Sequence, residues 1–433
     1  MKRRRLLTRA ALVAVSAVAC LVLSHRWHTD VSADSLAFAP SGSAPSGSAP
    51  SGQLGGPDSA PAVSPAVSPA DSLGRSAGHS TASVRLPGEF EPQQALLLAA
   101  GMWDMVFPGT LEKVIAATWE NVDLVGIIPD ESRRAELLDR LKAHGLPAES
   151  LRIVTIPHNT PWIRDYGPIV VQRGSGGDQA IVDLQYEIIA MPKGMNPTGA
   201  ARTLDEEVPS RLAPVFRLPV LQSSLVLEGG NLLSNGRDVC VTTTRTLEYN
   251  REQQADGAVV EAVFRRYFGA ATTCFLESLD SENTGHVDMF ATFTAPDTVV
   301  VGSYHPAEDP VNAALLDRNA EKLASLKTSS GPLRVVRIPM PPCDDGLFRT
   351  YTNVIYANGT LLVPTYPGLD PAGEEQALET YRELLPGWRV IGIDVTDMIR
   401  RGGGLHCLAT NVPAGDHRSL ARRPLSNRVS LNN

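Results

Sequence analysis

This 433-residue sequence has five short polar loops that together carry a thiol, an imidazole, three carboxyl groups and an amide. In the last loop, Gly402, Gly403 and Gly404 come shortly before His406 and Cys407. Glycines let the backbone pass close to a neighbour, because no Cβ blocks the approach. A cysteine beside a histidine is suited to nucleophilic catalysis. Taken alone, Cys407 is better explained as a buried structural cysteine after a tight turn, and the other loops are what change this interpretation.

The other four loops carry acidic, imidazole and amide side chains. Each has a structural alternative: an ion pair with Arg164 for Asp165, a turn cap for Glu228, and a satisfied core group for His286. If His286 and Asp288 lie on one strand, their spacing of two places both on the same face. The four loops are WIRDYGP with Asp165, EGGN with Glu228, GHVD with His286 and Asp288, and RTYTN with Asn353.

This set of groups favours chemistry on a positively charged substrate. A cysteine protease could use cysteine, histidine and asparagine, but it has no need of three further carboxylates. A guanidinium group fits them, since it is planar, always charged and carries five donors that carboxylates accept in pairs. Its central carbon becomes electrophilic once the charge is neutralised and desolvated. If the loops converge, the sequence predicts attack by the thiol on a guanidinium carbon.

The elements that must position the loops recur about every sixty residues. Five apolar or β-branched runs, each predicted to be a strand, end at residues 157, 219, 278, 339 and 394. Repeats of mixed α/β units around an axis would place the polar loops at matching strand ends. The strands are predicted at 151–157, 213–219, 272–278, 333–339 and 388–394, with others at 169–172, 238–243, 298–302 and 360–364; helices are predicted at 131–144, 247–267, 311–326 and 373–385.

Composition divides the chain into four predicted regions. Residues 1–33 have basic residues followed by an apolar run and predict a signal peptide or N-terminal anchor. Residues 34–84 are a disordered Pro/Gly/Ser/Ala-rich linker, 85–413 the catalytic domain and 414–433 a disordered tail. We therefore expect an exported protein that is periplasmic, envelope-attached or secreted, with possible membrane attachment through the leader. The net charge of -8 argues against a nucleic-acid partner.

The motifs WIRDYGP, LEGGNLLSNGR, GHVDMF, RTYTN and GGGLHC, in this order, resemble the agmatine deiminase and bacterial (Porphyromonas-type) peptidylarginine deiminase family. That family belongs to the guanidino-group-modifying superfamily. The resemblance covers roughly residues 85–413. It implies an α/β fold of the five-bladed propeller type, with the active site on the central axis. It also implies that no metal or organic cofactor is required.

The resemblance further implies a role for each motif residue. Cys407 would attack the guanidinium carbon and form a covalent thiouronium intermediate. His286 would protonate the departing ammonia and then activate water. The residues expected to bind the substrate are Asp165, Asp288, Glu228, Asn353, Gly404 and Trp162.

The sequence leaves the substrate open. The region 186–190 has neither the arginines of the peptidylarginine branch nor the Asn-x-Trp-Gly-Gly run of the agmatine branch. The acidic Glu187 and Glu228 favour a small cationic substrate, so agmatine or a related arginine derivative is the first expectation. Arginine-containing peptides are the alternative partner, which export favours. Amidinotransfer, hydrolysis of methylated arginine and a non-catalytic guanidinium-binding module remain further alternatives.

Overall fold

Five sheets of three or four strands recur in this computed structural model, which describes residues 83–102, 107, 109–175, 177–186 and 202–415. The strands, in chain order, are β1 Val84–Arg85, β2 Gln93–Leu98, β3 Asp123–Ile128, β4 Arg152–Thr155, β5 Ile169–Arg173, β6 Asp178–Gln185, β7 Val220–Val226, β8 Leu233–Ser234, β9 Val239–Thr243, β10 Thr272–Leu276, β11 Ala291–Ala295, β12 Thr298–Ser303, β13 Lys327–Thr328, β14 Gly331–Pro332, β15 Arg334–Pro339, β16 Ile355–Ala357, β17 Thr360–Thr365, β18 Arg389–Asp394 and β19 Ala409–Pro413.

Helices connect these strands and make the fold one of the α/β class. Asp256, Asp309 and Asp370 cap three of the longer helices by accepting a backbone N–H of the first turn. The helices are α1 Thr110–Thr118, α2 Arg133–Ala143, α3 Ile163–Tyr166, α4 Thr203–Glu206, α5 Val208–Phe216, α6 Arg245–Tyr249, α7 Gly257–Phe268, α8 Pro310–Ala324, α9 Pro371–Leu384 and α10 Thr396–Ile399.

The same pairing pattern repeats in all five sheets. A first strand pairs antiparallel with a second, and the second pairs parallel with a third. The three-strand sets are β5–β6–β7, β8–β9–β10, β11–β12–β15, β16–β17–β18 and β19–β2–β3. The second strands are apolar and buried on both faces, as in 96–98, 299–301 and 361–363. The predicted α/β repeat is therefore present, while closure of the units into a ring of five blades stays a prediction.

The predicted strand at 213–219 is wrong. Residues 208–216 form α5, and the strand of this repeat follows at β7. Pro209 lies in the first turn of the helix, where a missing N–H removes no intrahelical bond. Arg217 then ends the helix in the left-handed conformation (φ 57°), and Leu218 N–H donates to Ala213 O at 3.0 Å. Short apolar runs of this kind do not distinguish helix from strand.

The predicted helix at 247–267 is two helices, α6 and α7, separated by a turn. Asn250 explains the break, because its side chain accepts from Val226 N–H at 2.9 Å and donates to Val226 O at 2.8 Å. These bonds hold residue 250 against β7. The other predicted helices and strands coincide with α2, α8, α9, β4, β5, β9, β10, β12, β15, β17 and β18 within a few residues.

Each polar loop lies immediately before the first strand of a unit. Asp165 is in the single turn α3 ahead of β5, and short 3-10 turns at 229–231, 287–289 and 406–408 precede β8, β11 and β19. Asn353 precedes β16. The polar residues thus occupy one equivalent place in five equivalent units. The turn 163–166 contacts both 229–231 and 406–408, and 229–231 contacts 287–289.

The predicted leader at 1–33, and nearly all of the predicted linker and tail, lie outside the described residues. In the part of the chain that the structure describes, no helix combines the length and apolarity needed to cross a bilayer.

Candidate active site

Cys407 lies in the 3-10 turn His406–Leu408, between the three glycines and β19. The residue is buried, with 6% of its surface exposed. Gly404 N–H donates to Cys407 Sγ at 3.3 Å, and Asn353 Nδ2 lies 3.9 Å from the same sulfur. These contacts orient the thiol from the backbone on one side and from the amide on the other.

Asn353 holds the turn that carries the thiol. Its Oδ1 accepts a hydrogen bond from His406 N–H at 2.8 Å. A Cβ added to Gly404 would lie 2.2 Å from the same Oδ1, so only glycine permits this approach. The structure therefore brings Asn353, Gly404 and Cys407 together.

His286 lies between two carboxylates. Its Nε2 is 2.6 Å from Glu228 Oε2, and its Nδ1 is 3.6 Å from Asp165 Oδ1, which is too long for a hydrogen bond. Burial opposes a charge on the ring, yet Asp165 and Glu228, with a smaller contribution from Asp288, raise its pKa well above the ordinary value. The acidic neighbours therefore favour the imidazolium form of the ring.

Asp288 is in the 3-10 turn Val287–Met289, with His286 just ahead of it, so the condition that both lie on one strand is not met. Asp288 Oδ2 is 2.8 Å from His406 Nδ1. The other oxygen, Asp288 Oδ1, and Asp165 Oδ1 are both buried and find no hydrogen-bond donor among the described residues. Buried acceptors without donors are costly. A ligand with several N–H groups would satisfy both.

The charges of the site act on the thiol. Burial, together with the nearby Asp288 and Asp165 carboxylates, raises the pKa of Cys407 well above its ordinary value. Burial also raises the pKa of Asp165 to about 7, with Glu228 and Asp288 adding to the effect and the His286 imidazolium opposing it. The resting thiol is protonated. Positive charge entering between the carboxylates would lower the pKa of Cys407.

Trp162 forms a wall beside the thiol loop. A Cβ on Gly403 would lie 2.1 Å from the Trp162 ring, so the ring rests directly on the glycine backbone. Phe107 packs on Trp162 with 6.2 Å between ring centroids and a tilt of 54°. Together they hold an aromatic face next to the turn of Cys407.

The suggested surface ion pair between Arg164 and Asp165 is wrong. Arg164 is buried, and its Nη1 lies 2.7 Å from Glu89 Oε1 while its Nε donates to Ala409 O at 2.9 Å. Glu89 also lies 2.8 Å from His406 Nε2. Sequence reasoning missed Glu89 and gave His406 no role of its own. The adjacency of His406 to Cys407 is the only signal that points to this cluster.

Arg202 brings a cation to the Glu228 side of the site. Its Nη1 donates to Tyr186 Oη at 2.8 Å, and its guanidinium carbon lies 5.9 Å from the Tyr186 ring centroid. Tyr186 packs edge-on against Tyr166 at 5.9 Å. The sequence interpretation found no arginine close after β6; Arg202 reaches Tyr186 from sixteen residues further along the chain.

Comparisons with known proteins agree with this geometry. A family model described as Porphyromonas-type peptidyl-arginine deiminase matches residues 85–413. The chain belongs to this family. As a member of this deiminase family it is a hydrolase of C–N bonds. Its relatives include an agmatine deiminase of Medicago truncatula, 26% identical over 300 residues that cover 61% of this chain and 79% of that protein.

Other relatives cover more of the deiminase domain. A putative agmatine deiminase of Latilactobacillus sakei is 26% identical over 369 residues, covering 76% of this chain and 96% of that protein. The crystal structure of a putative arginine deiminase from Porphyromonas gingivalis superposes with a TM-score of 0.66 at 26% identity, covering 77% of this chain and 99% of that one. The agmatine deiminase of Enterococcus faecalis superposes with a TM-score of 0.65 at 20% identity, covering 76% and 96%, and shares the fold.

Proposed function

We propose that the protein hydrolyses the guanidino group of agmatine or a related arginine derivative to a ureido group and ammonia. The observation that carries this proposal is the pair of buried carboxylate oxygens beside a buried thiol, Asp165 Oδ1 and Asp288 Oδ1, to which the described part of the chain supplies no hydrogen-bond donor. A guanidinium offers paired N–H donors on opposite edges, together with the positive charge that the site needs.

Substrate binding activates the nucleophile. The pKa of Cys407 is raised by burial and by the neighbouring carboxylates. A guanidinium held between Asp165 and Asp288 offsets those negative charges, so the thiol loses its proton more readily when the substrate is present. Its proton passes to solvent, the Sγ thiolate forms a bond to the central carbon, and the C–N π electrons move onto nitrogen.

The chemistry proceeds in two halves. In the first, the C–N bond breaks, His286 supplies a proton to the departing nitrogen, ammonia leaves, and an amidino-thioether remains on Cys407. In the second, water adds to the same carbon, His286 takes a proton from it, and the C–S bond breaks to regenerate the thiol. One C–N bond is replaced by one C–O bond, with no net oxidation or reduction.

Glu228 supports both halves through His286. Its Oε2 at 2.6 Å from Nε2 leaves Nδ1 as the ring atom that faces Asp165 and the substrate position. Asn353 and Gly404 orient the thiol, and Trp162 offers an aromatic face on which the cation can stack. These assignments are proposals that rest on contacts and burial.

The relatives from Medicago truncatula and Latilactobacillus sakei, named agmatine deiminase and putative agmatine deiminase, support a small guanidine as the substrate. A second candidate, arginine with its α-carboxylate or a C-terminal arginine of a peptide, is favoured by Arg202. A fixed guanidinium beside Tyr186 would repel the ammonium group of agmatine and attract a carboxylate. Replacing Arg202 with Gln would therefore raise kcat/KM for agmatine relative to arginine if Arg202 faces the substrate tail.

The deciding experiment measures ureido product and ammonia from agmatine, arginine and arginyl peptides, with Cys407→Ala as the comparison. Wild-type turnover and its loss in the folded variant are expected. Failure of the reduced wild-type protein to turn over any of these would overturn the proposal. Methylamine or a transferred amidino group among the products would instead point to methylarginine hydrolysis or amidinotransfer.

We also propose that the five units surround a common axis as a closed propeller, and that the protein is exported. The first proposal is supported by the equivalent positions of the polar turns and by β19 pairing with β2, which joins the two ends of the described fold. The second is supported by the basic and apolar residues of the leader alone. Mass analysis of the mature N-terminus from fractionated cells tests it, and an intact cytoplasmic chain would refute it.

A further inference from the structure

A buried polar cluster lies behind the thiol, and Glu89 is at its centre. Glu89 comes just before β2, and its side chain is only 22% exposed. One carboxylate oxygen is 2.7 Å from Arg164 Nη1 and the other 2.8 Å from His406 Nε2. Burial opposes the charge, but Arg164 and His406 hold the pKa of Glu89 at about 2. Glu89 is therefore a carboxylate that accepts hydrogen bonds from both neighbours.

His406 links Glu89 to Asp288. The ring is buried, with Nε2 facing Glu89 Oε2 and Nδ1 facing Asp288 Oδ2, each at 2.8 Å. Ionised carboxylates can only accept hydrogen bonds, so both ring nitrogens must donate, and a ring that donates twice is an imidazolium. Burial and Arg164 oppose this charge, while Glu89 and Asp288 favour it and raise the pKa of His406.

Apart from Glu89, each member of the cluster belongs to a turn that carries a residue of the candidate active site. Arg164 is next to Asp165, and His406 is next to Cys407. Asp288 has one oxygen on His406 and the other without a donor among the described residues. Glu89 thus joins two of these turns directly, through Arg164 and His406, and His406 links them to Asp288 in a third. His406 in turn decides which oxygen of Asp288 is left to meet a substrate.

We propose that Glu89 and His406 are positioning residues of the deimination site. His406 fixes the carboxylate plane of Asp288 so that Oδ1 faces the guanidinium, and Glu89 keeps His406 in the charged form that donates to Asp288. Neither side chain needs to touch the reacting atoms. This inference rests on the proposed function for its catalytic consequence, but the protonation state of His406 can be measured without any substrate.

The first test is a histidine NMR titration of the full chain, with the His406 signal identified from its loss in His406→Asn. His406 in the wild type should titrate above the ordinary histidine pKa, and in Glu89→Gln it should titrate at lower pH, because the charge facing Nε2 is gone. Glu91→Gln is the matched control, since Glu91 is a neighbouring carboxylate paired with Arg85 instead. A wild-type His406 that titrates at or below the ordinary histidine pKa, or the same titration in Glu89→Gln, would overturn the proposal.

The second test compares two replacements of His406. An asparagine amide can take the place of Nδ1 and still donate to Asp288, whereas a glutamine amide takes the place of Nε2 and reaches only Glu89. We expect His406→Gln to lower kcat/KM by about 100-fold and His406→Asn by about 10-fold, the range seen when outer partners of a site residue are lost. Equal losses in the two variants would contradict a role through Asp288.

Glu89→Gln completes the test if either His406 variant fails to fold. It should lower kcat/KM by about 10-fold and move the alkaline limb of the pH–rate profile to lower pH, with thermal unfolding measured alongside. A loss of stability with an unchanged pH profile would mean a merely structural role. Absence of turnover in the wild type would refute the proposed function, and the NMR titration would still decide the state of His406.

Discussion

Gly230→Ala should disable the site through one methyl group. Gly230 lies in the 3-10 turn 229–231, and its backbone is not in the left-handed region, so alanine can adopt the same conformation. The added Cβ would lie 2.5 Å from His286 Nδ1 and 2.8 Å from Asp165 Oδ1. Ordinary contacts begin at 3.4 Å, so the imidazole must retreat by about 0.9 Å or the turn must shift.

The imidazole cannot move that far at no cost. Its Nε2 is held by Glu228 at 2.6 Å, and the ring is only 2% exposed. A misplacement of about 1 Å in a catalytic group can lower the rate by about 100-fold. We therefore expect kcat/KM to fall by about two orders of magnitude, with the near-ultraviolet circular dichroism and the cooperative unfolding transition retained.

Gly257→Ala is the matched control. Gly257 begins α7, and a Cβ there would meet nothing within 4 Å. Activity should be unchanged, and stability should stay equal or rise by up to about 1 kcal/mol, because alanine restricts the unfolded chain. The assay is ureido-product formation at several substrate concentrations, with thermal unfolding of both variants. A folded Gly230→Ala protein within about threefold of wild-type kcat/KM would refute the placement of His286 beside the reacting carbon.

Three further changes probe the acid, the wall and the stability of the site. Glu228→Gln removes a charge that raises the pKa of His286, so the imidazolium is lost at lower pH. The alkaline limb of the pH profile of kcat should therefore move to lower pH. An unchanged alkaline limb would contradict the role of His286 as the acid. Trp162→Leu should raise KM by about 2- to 30-fold, because the cation–π contact with the substrate is lost, and Trp162→Phe should raise KM by less. Equal KM values in the two variants would exclude stacking of the substrate cation on the Trp162 ring. Burial raises the pKa of Glu206 to about 7, so the stability that comes with the protonated form is present below the ordinary pKa and is lost as pH rises through 7. Glu206→Gln should therefore raise the unfolding free energy by about 1–2 kcal/mol at pH 8 and by little at pH 5. A larger gain at pH 5 than at pH 8 would contradict this pH dependence.

The periodic part of the fold was predictable because each unit repeats one local pattern. Short β-branched strands such as β10 and β15, and amphipathic helices such as α8, are encoded by neighbouring residues. The run at 213–219 was predicted wrongly, because its apolar sequence is compatible both with a strand and with a helix that ends at an arginine in the αL conformation. Its identity depends on buried contacts of Val208 and Leu212 that local sequence does not reveal.

The cluster behind the thiol was not predictable for a different reason. Glu89 and His406 are separated by 317 positions in the chain, and no spacing rule connects residues so far apart. The pairing arises because β19 returns to lie beside β2, which brings the start and the end of the described fold together. The repeat could predict proximity only for the motif residues, because they occupy the same position in every unit.

Under the proposed mechanism, the arrangement explains why so many acidic groups can surround a nucleophile that works as an anion. Asp165 and Asp288 would suppress ionisation of Cys407 if they acted alone, and burial strengthens this effect. The suppression reverses when a guanidinium lies between them, because the same carboxylates then bind the cation that stabilises the thiolate. The reactivity of the Cys407 thiol is thereby coupled to binding of a guanidinium, since the thiol becomes nucleophilic only when the group that it attacks is present. A neutral site of the same shape would bind guanidinium weakly, and a cationic one would repel it.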